Sequence, residues 1–173
     1  MATLVGKHIS LRALEPEDLD FLFTTENNES FWKVSSTQIP YSKHILKNYI
    51  ENAHQDIYEA KQYRFVICNI KNSPVGMIDL FEFEPQHNRV GVGLLILPKF
   101  QGNGFASEAL GLVIDYTFKH LNAHQLFANI AADNYKSIAL FEKFNFKFSG
   151  IKKDWIFTEL GYKNEILYQL INS

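Results

Sequence analysis

The sequence is poor in the features that mark several whole classes of protein. It has one cysteine, Cys68, so no disulfide can close within the chain, which suits a reducing cytosol. That cysteine lies inside the apolar run YRFVICNI and reads as core packing. No run of about 18 apolar residues occurs, so no membrane-spanning helix is expected. The opening MATLVGKHISLRAL lacks the apolar heart of a signal peptide, and a cytoplasmic protein is expected. Charge of one sign is not in excess: 17 Lys and Arg face 19 Asp and Glu, a formal net charge of −2. A nucleic-acid or membrane-surface partner is therefore not expected. No linker, repeat or low-complexity tract divides the 173 residues, and one domain over 1–173 is expected.

What is present suits a globular protein. Hydrophobic residues make up 46% and charged residues 21%, with 15 Phe to fill a core. Residues 8–14, HISLRAL, read as a strand. EPEDLDFLFTTENN follows with a Glu-Pro start and an acidic first turn, the signature of a helix N-terminus. FWKVSSTQIPY reads as a loop. SKHILKNYIENAHQDIYEA, 42–60, reads as a second helix with Ile45, Tyr49 and Ile50 on one face. QYRFVICNI, VGMIDLFEFE and RVGVGLLILP read as three strands of an antiparallel meander. A helix over 103–120, a strand HQLFANIAA, a helix over 134–144 and a hairpin turning near Gly161 complete the order β-α-α-β-β-β-α-β-α-β-β. This predicts a mixed α/β domain on one largely antiparallel sheet.

The stretch FQGNGFASEA, 100–109, carries the strongest chemical signal. Gly102 and Gly104 let main-chain N–H groups converge on one point, and the following helix adds its dipole. A phosphate would fit there. A Walker loop is excluded, because Phe105-Ala106-Ser107 stands where a Lys is required. The dinucleotide fingerprint fails as well, since Ser107 takes the place of its third glycine.

QGNGFA, Gln101 to Ala106, resembles the Q/R-x-x-G-x-G/A motif of the GNAT family of N-acetyltransferases. NYKSIALFEKFNF resembles that family's later helix, N-x-x-[SA]-x-x-[LF]-Y-x-K-x-G-F. SLRALEPEDLDFL resembles the opening of two branches, the ribosomal-protein N-terminal acetyltransferases (RimJ/RimL) and the spermidine/diamine N-acetyltransferases. The resemblance covers nearly the full chain. It implies a sheet of about seven strands flanked by about four helices, with splayed central strands holding CoA.

Residue by residue, it implies that Leu94, Leu95 and Ile96 contact the pantetheine arm of acetyl-CoA. Gln101, Gly102, Asn103, Gly104, Phe105, Ala106 and Ser107 would hold the pyrophosphate. Asn134 would reach the CoA arm, while by its residue type it also suits a helix N-cap. Ser137 and Phe141 of that helix would also contact the CoA. The N–H of Leu94 would stabilise the oxyanion formed when an amine attacks the thioester. A base must take the amine proton, and Glu82 stands at an acidic place of the polyamine branch. Strict alternation puts Glu82 and Glu84 on one strand face and Asp79 on the other. His87 is a further candidate.

Two departures stand out. Phe141 occupies the place where many relatives carry a Tyr as general acid, and Phe has no proton to give. The strand VGVGLLIL carries no acid at all. Gly91 and Gly93 mark a bulge, a close approach of substrate backbone, or only a twisted strand with little side-chain packing. No metal set is complete around His120 and His124. The segment 27–41 and helix 43–59 would wall the acceptor pocket. A peptide N-terminus, a polyamine or another small primary amine remain open as acceptor, and a homodimer is compatible with the family. The alternative from another class is a non-catalytic acyl-CoA sensor.

Overall fold

The structure is a computed structural model that describes residues 4–35 and 37–173. Residues 1–3 of the opening stretch and Ser36 of the expected loop lie outside the described residues. Seven strands form one sheet in the order β1-β2-β3-β4-β5-β7-β6. They span β1 Ile9–Arg12, β2 Tyr63–Asn69, β3 Pro74–Glu84, β4 Arg89–Ile96, β5 Gln125–Ala131, β6 Lys147–Thr158 and β7 Gly161–Ile171. All neighbours pair antiparallel except β4 and β5.

The helices are α1 Leu19–Glu26, α2 Glu29–Ser35, α3 Lys43–Glu51, α4 Ile57–Ala60, α5 Phe105–Lys119 and α6 Tyr135–Lys143. Two differ from the sequence expectation. The segment read as a loop begins inside α2, whose Trp32 donates its indole N–H to the Glu26 carbonyl at 2.8 Å. This tether ties α2 to the end of α1 and is invisible to periodicity. The helix expected over 43–59 is interrupted after Glu51 and restarts at Asp56, whose side chain accepts the Tyr58 N–H at 2.7 Å as an N-cap.

The main core lies between the sheet and α5. Ile78, Leu80 and Val92 meet Leu110 and Val113 there, all at most 2% exposed. A smaller cluster of Leu22, Leu46, Ile50 and Met77 seats α1 and α3 against the sheet. Apolar residues on both faces of β3 thus anchor two helical layers, with the central strands between them.

The β4–β5 pairing decides where a ligand can enter. It comprises only Arg89, Val90 and Gly91 of β4 with Gln125, Leu126 and Phe127 of β5. On its other edge β4 stays paired with β3 as far as Ile96. Beyond Gly91 the two parallel strands diverge, and β5 continues alongside β7 alone.

Candidate active site

The open edge of β4 has a definite polarity. Leu97 donates its N–H to the Val75 carbonyl at 2.9 Å. Antiparallel pairs alternate between bonded and non-bonded. Through the register Gly76 with Ile96, Ile78 with Leu94 and Leu80 with Val92, the main-chain groups of Val92, Leu94 and Ile96 therefore point away from β3, into the splay. Gln101 confirms the direction at one end, since its side-chain amide donates to the Ile96 carbonyl at 3.0 Å. Leu95 differs from its neighbours, as its main chain faces Met77. Leu94 and Ile96 thus stand where main-chain contacts to an extended ligand can form. Val92, which sequence reasoning missed, joins them.

The glycine turn follows β4 directly. Gly102 and Gly104 have φ of +80° and +78°, the left-handed region that glycine enters without strain. Gly104 is the N-cap of α5, so the N–H groups of Phe105, Ala106 and Ser107 begin a helix without intrahelical acceptors. The Asn103 side chain donates to the Phe100 carbonyl at 3.0 Å and pins the turn. Lys143 was not singled out in the sequence. Its ammonium donates to Ser107 Oγ at 2.9 Å and sets a positive charge beside the turn. Asn103, Gly104, Ser107 and Lys143 line a shallow opening of about 560 Å³. The signal for Lys143 was the Lys of the quoted later-helix motif. Converging N–H groups, a helix dipole and a lysine make this turn electropositive, an arrangement that can hold an anion.

The α6 residues divide in two. Asn134 is an N-cap, its side-chain oxygen accepting the Ser137 N–H at 3.2 Å. Phe141 is 4% exposed and meets Phe146 edge-on with centroids 4.9 Å apart, a core position.

On the other side of the sheet lies a cavity of about 650 Å³. Phe31 and Ser35 of α2 and Tyr49 of α3 form part of its wall, from the two regions expected to do so. Leu94, Asp79 and Glu82 also line it. The bulge expected around Gly91 and Gly93 lies in the partner strand, where the register shifts between Phe81 and Glu84. That extra residue overturns strict alternation. Ile78, Leu80 and Phe83 go to the core, so Phe81 and Glu82 both turn to the face of Asp79. Glu84 does not line the cavity. Glu82 is exposed and takes φ +47°, while the Phe83 N–H donates to the Lys61 carbonyl at 2.9 Å and fixes the bulge.

The charges of this cavity are organised in pairs. Arg64 donates to Asp79 through Nε and Nη2 at 2.7 Å each, and through Nη1 to Glu26. Burial disfavours the Arg64 charge, but the two carboxylates outweigh it and hold the guanidinium firmly protonated. Tyr49 lies over Arg64 at 5.7 Å, and its burial pushes the phenol up. Lys152 pairs with Glu165 at 2.6 Å and donates to Asn129 at 3.1 Å. Four carboxylates, of Glu26, Asp79, Glu82 and Glu165, thus face two cations, leaving a surplus of two negative charges. Glu82 has no ion-pair partner among the described residues. His87 does not line this cavity. Among the described residues no cluster of three His, Cys, Asp or Glu forms, and no helix is long and apolar enough to cross a membrane.

Known proteins match most of the chain in sequence and in fold. The acetyltransferase (GNAT) domain family matches residues 8–147. The chain belongs to the GNAT acetyltransferase family. The spermidine N(1)-acetyltransferase of Vibrio cholerae serotype O1 is 30% identical over 145 residues, 82% of this chain and 80% of that relative. A putative ribosomal N-acetyltransferase of Bacillus subtilis is 25% identical over 96% of this chain and 93% of its own length. The crystal structure of a V. cholerae spermidine N-acetyltransferase in complex with CoA and spermine superposes with a TM-score of 0.86. It is 26% identical, covering 94% of this chain and 95% of that one. This GNAT protein is an N-acetyltransferase whose co-substrate is acetyl-CoA.

Proposed function

We propose that this single domain, 1–173, acetylates a primary amine of a polyamine by direct attack in a ternary complex. The observation that carries the choice of acceptor is the surplus of two carboxylates in the 650 Å³ cavity. A polycation gains there from charge complementarity in a site partly shielded from water. The relatives named for spermidine support the same choice.

In this reading the pyrophosphate of acetyl-CoA rests on Gln101–Ser107 with Lys143 alongside. The pantetheine amides bond to the open edge of β4. Asn134 caps α6 and meets the CoA arm, with Ser137 and Phe141 behind it. The acetyl carbonyl lies at the Leu94 N–H, which donates to the oxyanion. Glu82 takes a proton from the amine. The neutral amine nitrogen then bonds to the carbonyl carbon, the C–S bond breaks, and the second proton, lost by the nitrogen, passes through water to the CoA thiolate. Placing the two reactants together supplies much of the rate.

The test is release of CoA thiol from acetyl-CoA with spermidine, spermine, simple diamines and peptides with free N-termini. Polyamines are expected to give the highest kcat/KM, with intersecting initial-velocity lines. Turnover confined to the peptides would move the acceptor to protein N-termini. Parallel lines and an acetylated enzyme would exclude the ternary complex.

A further inference from the structure

Two glycines on one face of a strand leave a trough, and here an aromatic ring lies in it. Gly91 and Gly93 are two residues apart on β4 and face the same side of the sheet. Phe81 pairs with Gly91 across the β3–β4 ladder. A Cβ at Gly91 would run into the Phe81 ring, and one at Gly93 would touch it at 3.7 Å. Phe81 also meets Phe127 edge-on, with centroids 5.6 Å apart and an interplanar angle of 87°. Phe127 is the β5 partner of Gly91 on the last rung before the strands part. The two rings therefore stand at the apex of the splay. Phe81 is half-buried and lines the cavity beside Gly93 and Leu94.

We propose that Phe81 is a specificity-determining residue that limits the acyl group to acetyl. The inference rests on the reading that the CoA arm lies in the splay. The pyrophosphate turn follows the C-terminal end of β4, so the arm runs back along Ile96, Leu94 and Val92 towards the apex. The thioester is the end that arrives there. An acetyl methyl stops short of Phe81, whereas further carbons continuing in the same direction press on its ring. Withdrawal of that ring is blocked on two sides, because Gly91 lies beneath it and Phe127 stands at its edge. Overpacking of this kind weakens binding by about tenfold for two added carbons. The alternating glycines are the sequence counterpart of this arrangement, since any larger residue at Gly91 would displace the ring.

The experiment is calorimetric titration of the full chain with CoA, acetyl-CoA, propanoyl-CoA and butanoyl-CoA. The wild type is expected to bind acetyl-CoA about tenfold tighter than butanoyl-CoA, with propanoyl-CoA between. Phe81→Ala is expected to bring acetyl and butanoyl within about twofold, while leaving CoA itself unchanged. The wild-type series needs no variant, and Phe81→Leu gives a milder one if Phe81→Ala fails to fold. Equal wild-type affinity for acetyl-CoA and butanoyl-CoA, with CoA bound, would overturn the role of Phe81 alone. Failure of the wild type to bind CoA or acetyl-CoA would remove the splay reading and this inference with it.

Discussion

Arg64 holds Asp79 through two hydrogen bonds of 2.7 Å and reaches Glu26 with its remaining nitrogen. One guanidinium thus ties β2 to β3 and to the end of α1, at the floor of the acidic cavity. Its planar fork is what allows three donors to serve two carboxylates. Arg64→Ala leaves those carboxylates facing one another without a cation. The expected loss is about 3 kcal/mol in urea unfolding, and Arg64→Lys is expected to restore less than half of it. A loss below about 0.5 kcal/mol would show that the cluster does not support the fold.

Acid stability should depend on Asp18. Burial alone would raise its carboxyl, but hydrogen bonds from Arg12 at 2.7 and 2.9 Å and from the Glu15 N–H at 2.9 Å outweigh burial and lower it. A depressed carboxyl contributes stability above its unfolded value, near about pH 4. That contribution is lost as pH falls through the folded value. Asp18→Asn is expected to destabilise at neutral pH, with the gap to wild type narrowing below about pH 4. Unfolding curves across that range check it, and a gap independent of pH would contradict it.

Gly104 tests the glycine turn. An added Cβ there meets nothing within 4 Å, so Gly104→Ala acts only through the φ of +78°. The cost of that conformation is about 1–2 kcal/mol. The substituted turn is expected to relax away from that φ in the free protein, so binding must restore it and acetyl-CoA is weakened about fivefold to thirtyfold, with the KM for the amine little changed. Calorimetry with acetyl-CoA and steady-state kinetics separate the two effects.

Phe141→Tyr adds the hydroxyl that the family resemblance implies at this place. The ring is in the core against Phe146, so the new group needs a partner that this packing does not provide. The expected result is a stability loss of about 1–3 kcal/mol and turnover within about twofold of wild type. A tenfold rise in kcat would show that this ring reaches the leaving thiolate.

Much of the scaffold was legible because its signals are local. Gly102 and Gly104 announce a turn, and Gly161, with φ +110°, sits where the hairpin was expected. β-rich runs bounded by turn residues located all seven strands. The rest depends on contacts between distant residues. The Arg64 cluster joins positions 38 and 15 residues apart. The bulge that turns Glu82 towards Asp79 is held by the Lys61 carbonyl, far back in the chain. Phe81 matters because Gly91 and Gly93 leave room for it, a cross-strand relation that no single-strand pattern contains. Trp32 holds α2 in place through one hydrogen bond, in a stretch whose composition reads as loop.

The most direct test of the account is the kinetics of Glu82→Gln with acetyl-CoA and spermidine. The substitution keeps the size of the side chain and removes its capacity to take a proton. The account predicts a fall in kcat of about a hundredfold, an unchanged affinity for acetyl-CoA, and an altered pH profile. Wild-type turnover with an unchanged profile would contradict it and remove Glu82 from the mechanism.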